Sequence, residues 1–287
     1  MTLFKILILA AIQGVTELLP VSSSAHVIVA EKLMKLDPVS PEMTLLLVML
    51  HTGTMFAVIV FFWNSWKTTF FESRKVLWDS SKWIAAATAA TVLVGLVLKK
   101  LIERLMFKGI PHAEVELLFG NLPFISIALA AVGFLILLAG WMNHRFPNAK
   151  ADLGLKTSCL IGAVQGICLP FRGFSRSGAT ISTGLLLGIS KKRIEDFSFV
   201  LAVVLTPPII LREVLRLLRT HQTASLDMTN MLHLIYPGLL GMLLSFIFGI
   251  LALRWLSNWL ERGRWHLFGI YCLCASAIIY LLHIKGL

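Results

Sequence analysis

Charged side chains are scarce in this chain: Asp, Glu, Lys and Arg make up only 14% of its 287 residues. A soluble domain carries about a quarter, so a surface wetted on all sides is excluded. Acidic residues are the scarcer sign, 15 against 26 Lys and Arg, for a formal net charge of +11. In a soluble protein that excess would suggest nucleic acid. Here no basic stretch is interleaved with aromatics that could stack on bases, and nucleic acid is set aside as a partner. The basic residues stand instead between apolar runs, as at Lys67, Arg74 and Lys75 or Lys191, Lys192 and Arg193, where side chains meet anionic headgroups. Cysteine is sparse too. Cys159, Cys168, Cys272 and Cys274 lie in apolar stretches without zinc-ligand spacing, which excludes a metal finger and a disulfide scaffold and leaves small buried residues. The first apolar run lacks a small-residue cleavage site and leads into Glu17, Pro20 and three serines, so it is expected to be retained.

What the chain has in quantity is apolar sequence, with a mean hydropathy of +0.82. Runs near 43–63, 82–98, 122–140, 196–211, 233–256 and 265–284 each approach the ~20 residues a bilayer requires. Polar stretches at Asn64–Ser81, Lys99–Asn121, Asn143–Lys156 and Thr220–Asn230 separate them. The expected fold is an all-α polytopic membrane protein with about six full spans. The chain is too short for these and a large soluble region as well, so 1–287 reads as a single integral membrane domain.

Two segments do not fit simple spans. Leu3–Leu36 is interrupted by Gln13, Glu17, Pro20, Ser22, Ser23, Ser24 and His26, and Leu155–Ile189 by Gln165, Pro170, Arg172, Gly173, Ser175, Arg176 and Ser177. Polar residues with Pro or Gly in mid-membrane break a helix, and the freed backbone must be satisfied inside protein. Both segments are expected to be broken or re-entrant. They also resemble each other: Ala11-Ile12-Gln13-Gly14, Pro20 and Ser22-Ser23-Ser24 answer to Ala163-Val164-Gln165-Gly166, Pro170 and Ser175-Arg176-Ser177. This reads as an internal repeat, the first copy over about 1–142 and the second over about 153–287. Paired interrupted segments of this kind point to a site at the membrane midplane between the copies. An odd number of crossings per copy would invert one against the other. Lys and Arg are shared between the loops too evenly to set orientation.

The chemistry sits in the interruptions. Arg176 in an apolar region is costly without a partner, and a guanidinium grips phosphate oxygens with paired donors. Gly173 and Gly178 let backbone N–H groups approach an anion, Ser175, Ser177 and Thr180 add hydroxyls, and a helix starting here would aim its positive end at the same point. The plainer alternative is that Arg176 pairs with Glu17 merely to hold the copies together. In the first segment Gln13 and Glu17 are four apart and share a helix face. Glu17 could ligate a cation, orient a nucleophile or act as a base. Ser22, Ser23 and Ser24 offer nucleophiles or anion donors, although serines often only cap or pack membrane helices. His26 can move a proton near neutral pH.

These motifs are where a resemblance appears. Gln13-x-x-x-Glu17 running into Pro20-Val21-Ser22-Ser23-Ser24-Ala25-His26, and Gly173-Phe174-Ser175-Arg176-Ser177-Gly178-Ala179-Thr180, with Leu50-His51-Thr52-Gly53-Thr54 and Phe197-Ser198-Phe199 in support, resemble the undecaprenyl-diphosphate phosphatases, also called bacitracin-resistance proteins. The resemblance covers nearly the whole chain. It implies two inverted-topology repeats whose re-entrant helix pairs meet at a central site open to the periplasm, in the bacterial inner (plasma) membrane. It also implies a divalent cation, Mg²⁺ or Ca²⁺, with Glu17 as its metal ligand. The implied activity is hydrolysis of the terminal phosphate of a polyprenyl diphosphate, recycling the cell-wall lipid carrier and conferring bacitracin resistance. By position, Glu17 matches the family's essential acidic residue, Ser23 its nucleophile candidate, His26 its histidine and Arg176 its diphosphate-holding arginine. Gln13, Ser22, Ser24, Ser175, Ser177, Gly178 and Thr180 are the implied substrate contacts, and His51 is a candidate to reach the site.

The chain departs from the family where Pro-Gly-x-Ser-Arg-Ser-Gly becomes Pro170-Phe171-Arg172-Gly173-Phe174-Ser175-Arg176-Ser177, with a second irregularity at Val203-Val204-Leu205-Thr206-Pro207-Pro208. Arg172 is either a second phosphate contact or a headgroup anchor, the latter preferred. The expected mechanism has Ser23 attack the terminal phosphorus, His26 handle the proton and Arg176 hold the oxygens, with attack by His26 or by water left open. Expected partners are the polyprenyl diphosphate lipid and the membrane, with a homodimer left open. A transporter would also use broken helices at the midplane, but a carrier needs no Ser-x-His cluster. A phosphatidic-acid-type phosphatase needs a His after Ser175-Arg176, and none stands between Ser177 and Ser190.

Overall fold

The computed structural model describes residues 2–38, 40–106, 118–145, 151–221 and 228–287. Ten α-helices stand among the described residues: α1 (Leu3–Leu18), α2 (Ser23–Leu33), α3 (Pro41–Phe70), α4 (Arg74–Met106), α5 (Leu122–Arg145), α6 (Leu155–Cys168), α7 (Arg176–Leu186), α8 (Lys191–His221), α9 (Met228–Glu261) and α10 (Trp265–Ile284). Six of them, α3, α4, α5, α8, α9 and α10, are long and apolar enough to cross a membrane.

These six coincide with the expected runs, but most overrun them. The run at 43–63 lies inside Pro41–Phe70 and that at 82–98 inside Arg74–Met106. Hydropathy marks only the stretch that sits in hydrocarbon. Beyond it the helix continues through turns carrying Lys67, Arg74 and Lys75, because a helical backbone satisfies itself in either medium. The separator expected at Asn64–Ser81 therefore shrinks to residues 71–73. Parts of the expected separators at Lys99–Asn121, Asn143–Lys156 and Thr220–Asn230 lie outside the described residues.

The two interrupted segments each become a pair of short helices, α1–α2 and α6–α7. With 16, 11, 14 and 11 residues, none reaches the ~20 that a crossing needs. Proline explains the first reversal. The residue before Pro is pushed out of the α region, and Leu19, before Pro20, ends α1 with ψ 151°. Ser22 then takes a left-handed φ of 68°. The second reversal uses Gly173 at φ 99°, where a Cβ would also collide with the Ile125 carbonyl.

Small residues seat these short helices against long ones, as membrane interfaces require. Gly14 lets α1 lie on α9 at Ser245 and Phe248, and Gly162 and Gly166 let α6 lie on α4 at Ala87, Thr91 and Val94. Contact order gives the directions. On α3 and α9, Leu46 meets Gly241, Gly53 meets Met242 and Ala57 meets Gly249, so these two helices run parallel. On α5 and α10 the order reverses: Ser126 meets Ser276, Gly133 meets Gly269 and Gly140 meets His266. That antiparallel pair is fastened reciprocally, with Ser126 Oγ donating to the Ser276 carbonyl (2.9 Å) and Ser276 Oγ to the Ser126 carbonyl (2.7 Å). α3 and α8 meet through Phe62, Trp66 and Phe199. Beside them Ser65 (2.7 Å) and Thr69 (3.0 Å) donate to the buried Asp196 carboxylate.

Candidate active site

The reversals of α1–α2 and α6–α7 meet inside the molecule. Ser177 Oγ donates to the Leu19 carbonyl at 3.2 Å, and the Gly173 N–H donates to Ser24 Oγ at 3.3 Å. This contact brings the last turn of α1 against the first residue of α7. Arg176 Nη2 donates to Glu17 Oε1 at 3.0 Å, with side chains only 21% and 17% exposed. The other carboxylate oxygen, Oε2, accepts Ser23 Oγ at 2.5 Å and Gln13 Nε2 at 3.1 Å. His51 of α3 brings Nε2 to 3.8 Å from the same oxygen, while its Nδ1 donates to the Leu47 carbonyl. Arg176 has one nitrogen to spare: Nη1 is buried without a hydrogen-bond partner. A small cavity beside the pair is lined by Thr54, Met55, Val58, Val203 and Thr206.

The two helices that leave these reversals begin alike. Ser22 Oγ accepts the Ala25 N–H at the start of α2, and Ser175 Oγ accepts the Gly178 N–H at the start of α7. Each capping hydroxyl also meets the serine two residues on, Ser24 at 3.2 Å and Ser177 at 3.4 Å. A serine cap satisfies one orphan N–H of a first turn. The remaining first-turn N–H groups, those of Ser23 and Ser24 and of Arg176 and Ser177, lie outside the helices' own bonding and make two positive ends, each suited to an anion. Thr180 Oγ1 donates to the Arg176 carbonyl at 2.9 Å and contacts Ser198 Oγ at 2.6 Å. Thus every residue expected at the site gathers around the two reversals. The hydroxyls of Ser22, Ser24, Ser175, Ser177 and Thr180 are committed to building them, and the Ser23 hydroxyl is directed at the carboxylate.

His26 stands one turn after Ser23 on α2 but does not bond it. Its Nδ1 meets the Ser22 carbonyl at 2.7 Å and its Nε2 meets Tyr271 Oη at 2.8 Å. A carbonyl can only accept, so Nδ1 carries the hydrogen and the neutral ring accepts from Tyr271 at Nε2. The two rings stack with centroids 5.7 Å apart. The Ser23 hydroxyl thus donates to Glu17 and not to His26.

A protein-family model described as bacitracin resistance protein BacA matches residues 6–278. The chain belongs to the BacA family. Undecaprenyl-diphosphatase 2 of Acinetobacter baylyi is 53% identical to it over 283 residues, 98% of each chain. Undecaprenyl-diphosphatase 2 of Burkholderia thailandensis is 33% identical over 96% of this chain and 95% of its own length. Undecaprenyl-diphosphatase of Bacteroides fragilis is 29% identical over 96% of both.

Three further placements matter in this BacA-family chain. Arg172 is exposed, with its guanidinium 4.4 Å from the centre of the Phe119 ring, a cation–π contact at the start of α5. Gln165, the counterpart of Gln13, does not face the carboxylate. It donates to Thr91 Oγ1 on α4 at 3.0 Å, and that hydroxyl is itself within 2.8–2.9 Å of the Ala87 and Gly162 carbonyls. Tyr271 was missed in the sequence. Its signal is faint: a phenol in an apolar span needs a partner for its hydroxyl, but nothing in α10 says that the partner is His26.

Among the described residues no three of His, Cys, Asp and Glu gather to hold a metal ion. What Glu17, Gln13 and Ser23 offer is a single carboxylate with neutral oxygen donors. That set does not cage an ion, but it fits a hard cation of the Mg²⁺ or Ca²⁺ kind that completes its shell with substrate phosphate oxygens and water.

Proposed function

We propose that this chain hydrolyses undecaprenyl diphosphate to undecaprenyl monophosphate and inorganic phosphate in a bacterial plasma membrane, and that it confers bacitracin resistance by recycling the cell-wall lipid carrier. The observation that carries the reading is Arg176, with Nη2 held by Glu17 and Nη1 buried without a partner. A buried guanidinium N–H without an acceptor is expensive, and a phosphate oxygen is the acceptor its fork geometry suits best. The close relatives named as undecaprenyl-diphosphatases support the choice of substrate.

In this mechanism the terminal phosphate lies between the first turns of α2 and α7. Their N–H groups and Arg176 Nη1 stabilise its oxygens as charge shifts in the in-line transition state. Ser23 Oγ attacks the phosphorus and passes its proton to Glu17 Oε2. The bond to the bridging oxygen breaks, releasing prenyl monophosphate. Water then cleaves the phosphoserine: His26, one turn along α2, takes the proton of the water once the bond to Tyr271 has exchanged, Glu17 returns its proton to Ser23 Oγ, and inorganic phosphate leaves. Glu17 would hold the divalent cation together with the substrate's own oxygens, and the cation, when bound, supplies positive charge against the diphosphate.

We further read the fold as two inverted repeats. Three spans per half, α3–α5 and α8–α10, give the odd crossing number that inversion needs, and the antiparallel contact of α5 with α10 supports it. The family resemblance supports an opening to the periplasm. The test is phosphate release from undecaprenyl diphosphate by the purified chain with Mg²⁺ or Ca²⁺, alongside Ser23→Ala. The parent should release phosphate and lose the activity to a chelator. The variant should fall by at least ~10³ and form no acid-stable phosphoenzyme. A fully active Ser23→Ala would refute Ser23 as nucleophile, and an inactive parent would refute the function.

A further inference from the structure

The tail of a lipid substrate must lie against the outside of the bundle, and that outside is uneven. α4 is the barest of the six spans: 17% of its most apolar window is buried, against 33–50% in the others. Its packed stripe, Ala87, Thr91 and Gly95, faces α6. About a third of a turn away, Ala85, Thr88, Ala89, Val92 and Leu96 form a second stripe that, with Val204 of α8, walls an open apolar groove. At 1.5 Å per residue the groove runs about 22 Å along α4 from Ser81 to Leu96. By contrast α3 and α9 are closed on each other through Gly53, Gly238, Gly241 and Gly249, whereas α4 touches α8 only lightly.

A single turn of α8 stands between the groove and the cavity at the active site. Val204 lines it, and the next residue back, Val203, lines the cavity beside Glu17 and Arg176. Pro207 and Pro208 lie inside α8. Having no N–H, they remove the helical bonds to the carbonyls of Val203 and Val204, so the wall between cavity and groove is weakly braced.

We infer that the groove between α4 and α8 seats the polyprenyl chain, and that the stretch from Val203 to Thr206 is the portal through which the diphosphate passes sideways to Arg176. The substrate's identity rests on the hydrolase reading above. Small residues at 85, 88 and 89 leave a trough, and the branched walls at Val92, Leu96 and Val204 give a methyl-bearing isoprenoid many dispersion contacts.

The test uses a long-chain prenyl diphosphate with a photoactivatable diazirine within the first few isoprene units of its tail, irradiated with the full chain in lipid nanodiscs. Adducts should fall on α4 between Ala85 and Leu96 and on the Val204 turn of α8. Excess prenyl phosphate should compete them away, and excess phosphatidylglycerol should not. Ala89→Trp, which fills the trough, should abolish these adducts. It should also lower the ratio of kcat/KM for undecaprenyl over farnesyl diphosphate about tenfold. Ile278→Trp, on the exposed face of α10, should keep the parental ratio. Adducts elsewhere, competition by phosphatidylglycerol, or an unchanged ratio in Ala89→Trp would overturn the inference. Adducts on α4 without any phosphate release would keep the groove and overturn the hydrolase reading instead.

Discussion

Replacing Arg176 by lysine separates catalysis from bracing. The guanidinium does two things at once in the proposed site: Nη2 neutralises Glu17 across 3.0 Å, and Nη1 is free for phosphate. Lysine keeps the charge and can still pair with Glu17, but it has one nitrogen where two are needed. Breaking a buried ion pair outright costs about 3–5 kcal/mol. Arg176→Lys does not break it, and Ser23 and Gln13 continue to donate to Oε2, so the variant should melt close to the parent. Losing one preorganised donor to the transferring phosphoryl group costs about 2.7–4 kcal/mol, or 10²–10³ in rate. The assay is phosphate release under single-turnover conditions, beside a thermal melt in the same detergent. A brace-only arginine predicts the parental melt with parental activity, and that result would refute the mechanism. The neutral pair Glu17→Gln/Arg176→Met gives a second check. It should recover most of the stability lost in Arg176→Met alone, but none of the activity.

Tyr271→Phe should leave the fold intact, at a cost near 1 kcal/mol for one hydrogen bond. It should lower kcat several-fold with KM unchanged, because His26 keeps its bond to Ser22 but loses the partner that fixes Nε2; a fall in substrate affinity with kcat preserved would argue against a positioning role. Gly53→Val should destabilise by about 1–3 kcal/mol or more, since its Cβ would overlap the Met242 carbonyl and Ser245 Oγ of α9. The melt of the purified variant checks this, and a parental melting temperature would show that α3 and α9 are not held as closely as described.

The spans were legible because twenty apolar residues in a row have few other destinations, and the charged turns that lengthen them were not, because hydropathy records the solvent and not the helix. The broken segments were legible from Pro20 and Pro170 standing among polar residues in apolar runs. The Glu17–Arg176 meeting was anticipated from chemistry alone, since each is too costly to bury singly. The hydrogen-bond partner of Ser23 was not. Ser23 and His26 are three apart and look like partners, but Ser22 and Tyr271 take both ring nitrogens of His26 and leave the Ser23 hydroxyl to Glu17. Such pairing depends on which way α2 is rotated, and that is decided by the cap at Ser22 and by a residue 245 positions away. Gln13 and Gln165 teach the same lesson: similar surroundings in the chain, but one faces a carboxylate and the other a threonine on α4.

The bonds from Ser177 to Leu19 and from Gly173 to Ser24 join pieces of chain about 150 residues apart. During synthesis the acid and the serine are inserted long before the arginine that completes them. Until then the early half holds the carboxylate, the hydroxyl and the first turn of α2, but no guanidinium to complete the grip on a phosphate. On the proposed mechanism a nascent or truncated chain therefore lacks half of its phosphate-binding groups, and competence comes only when the later half docks.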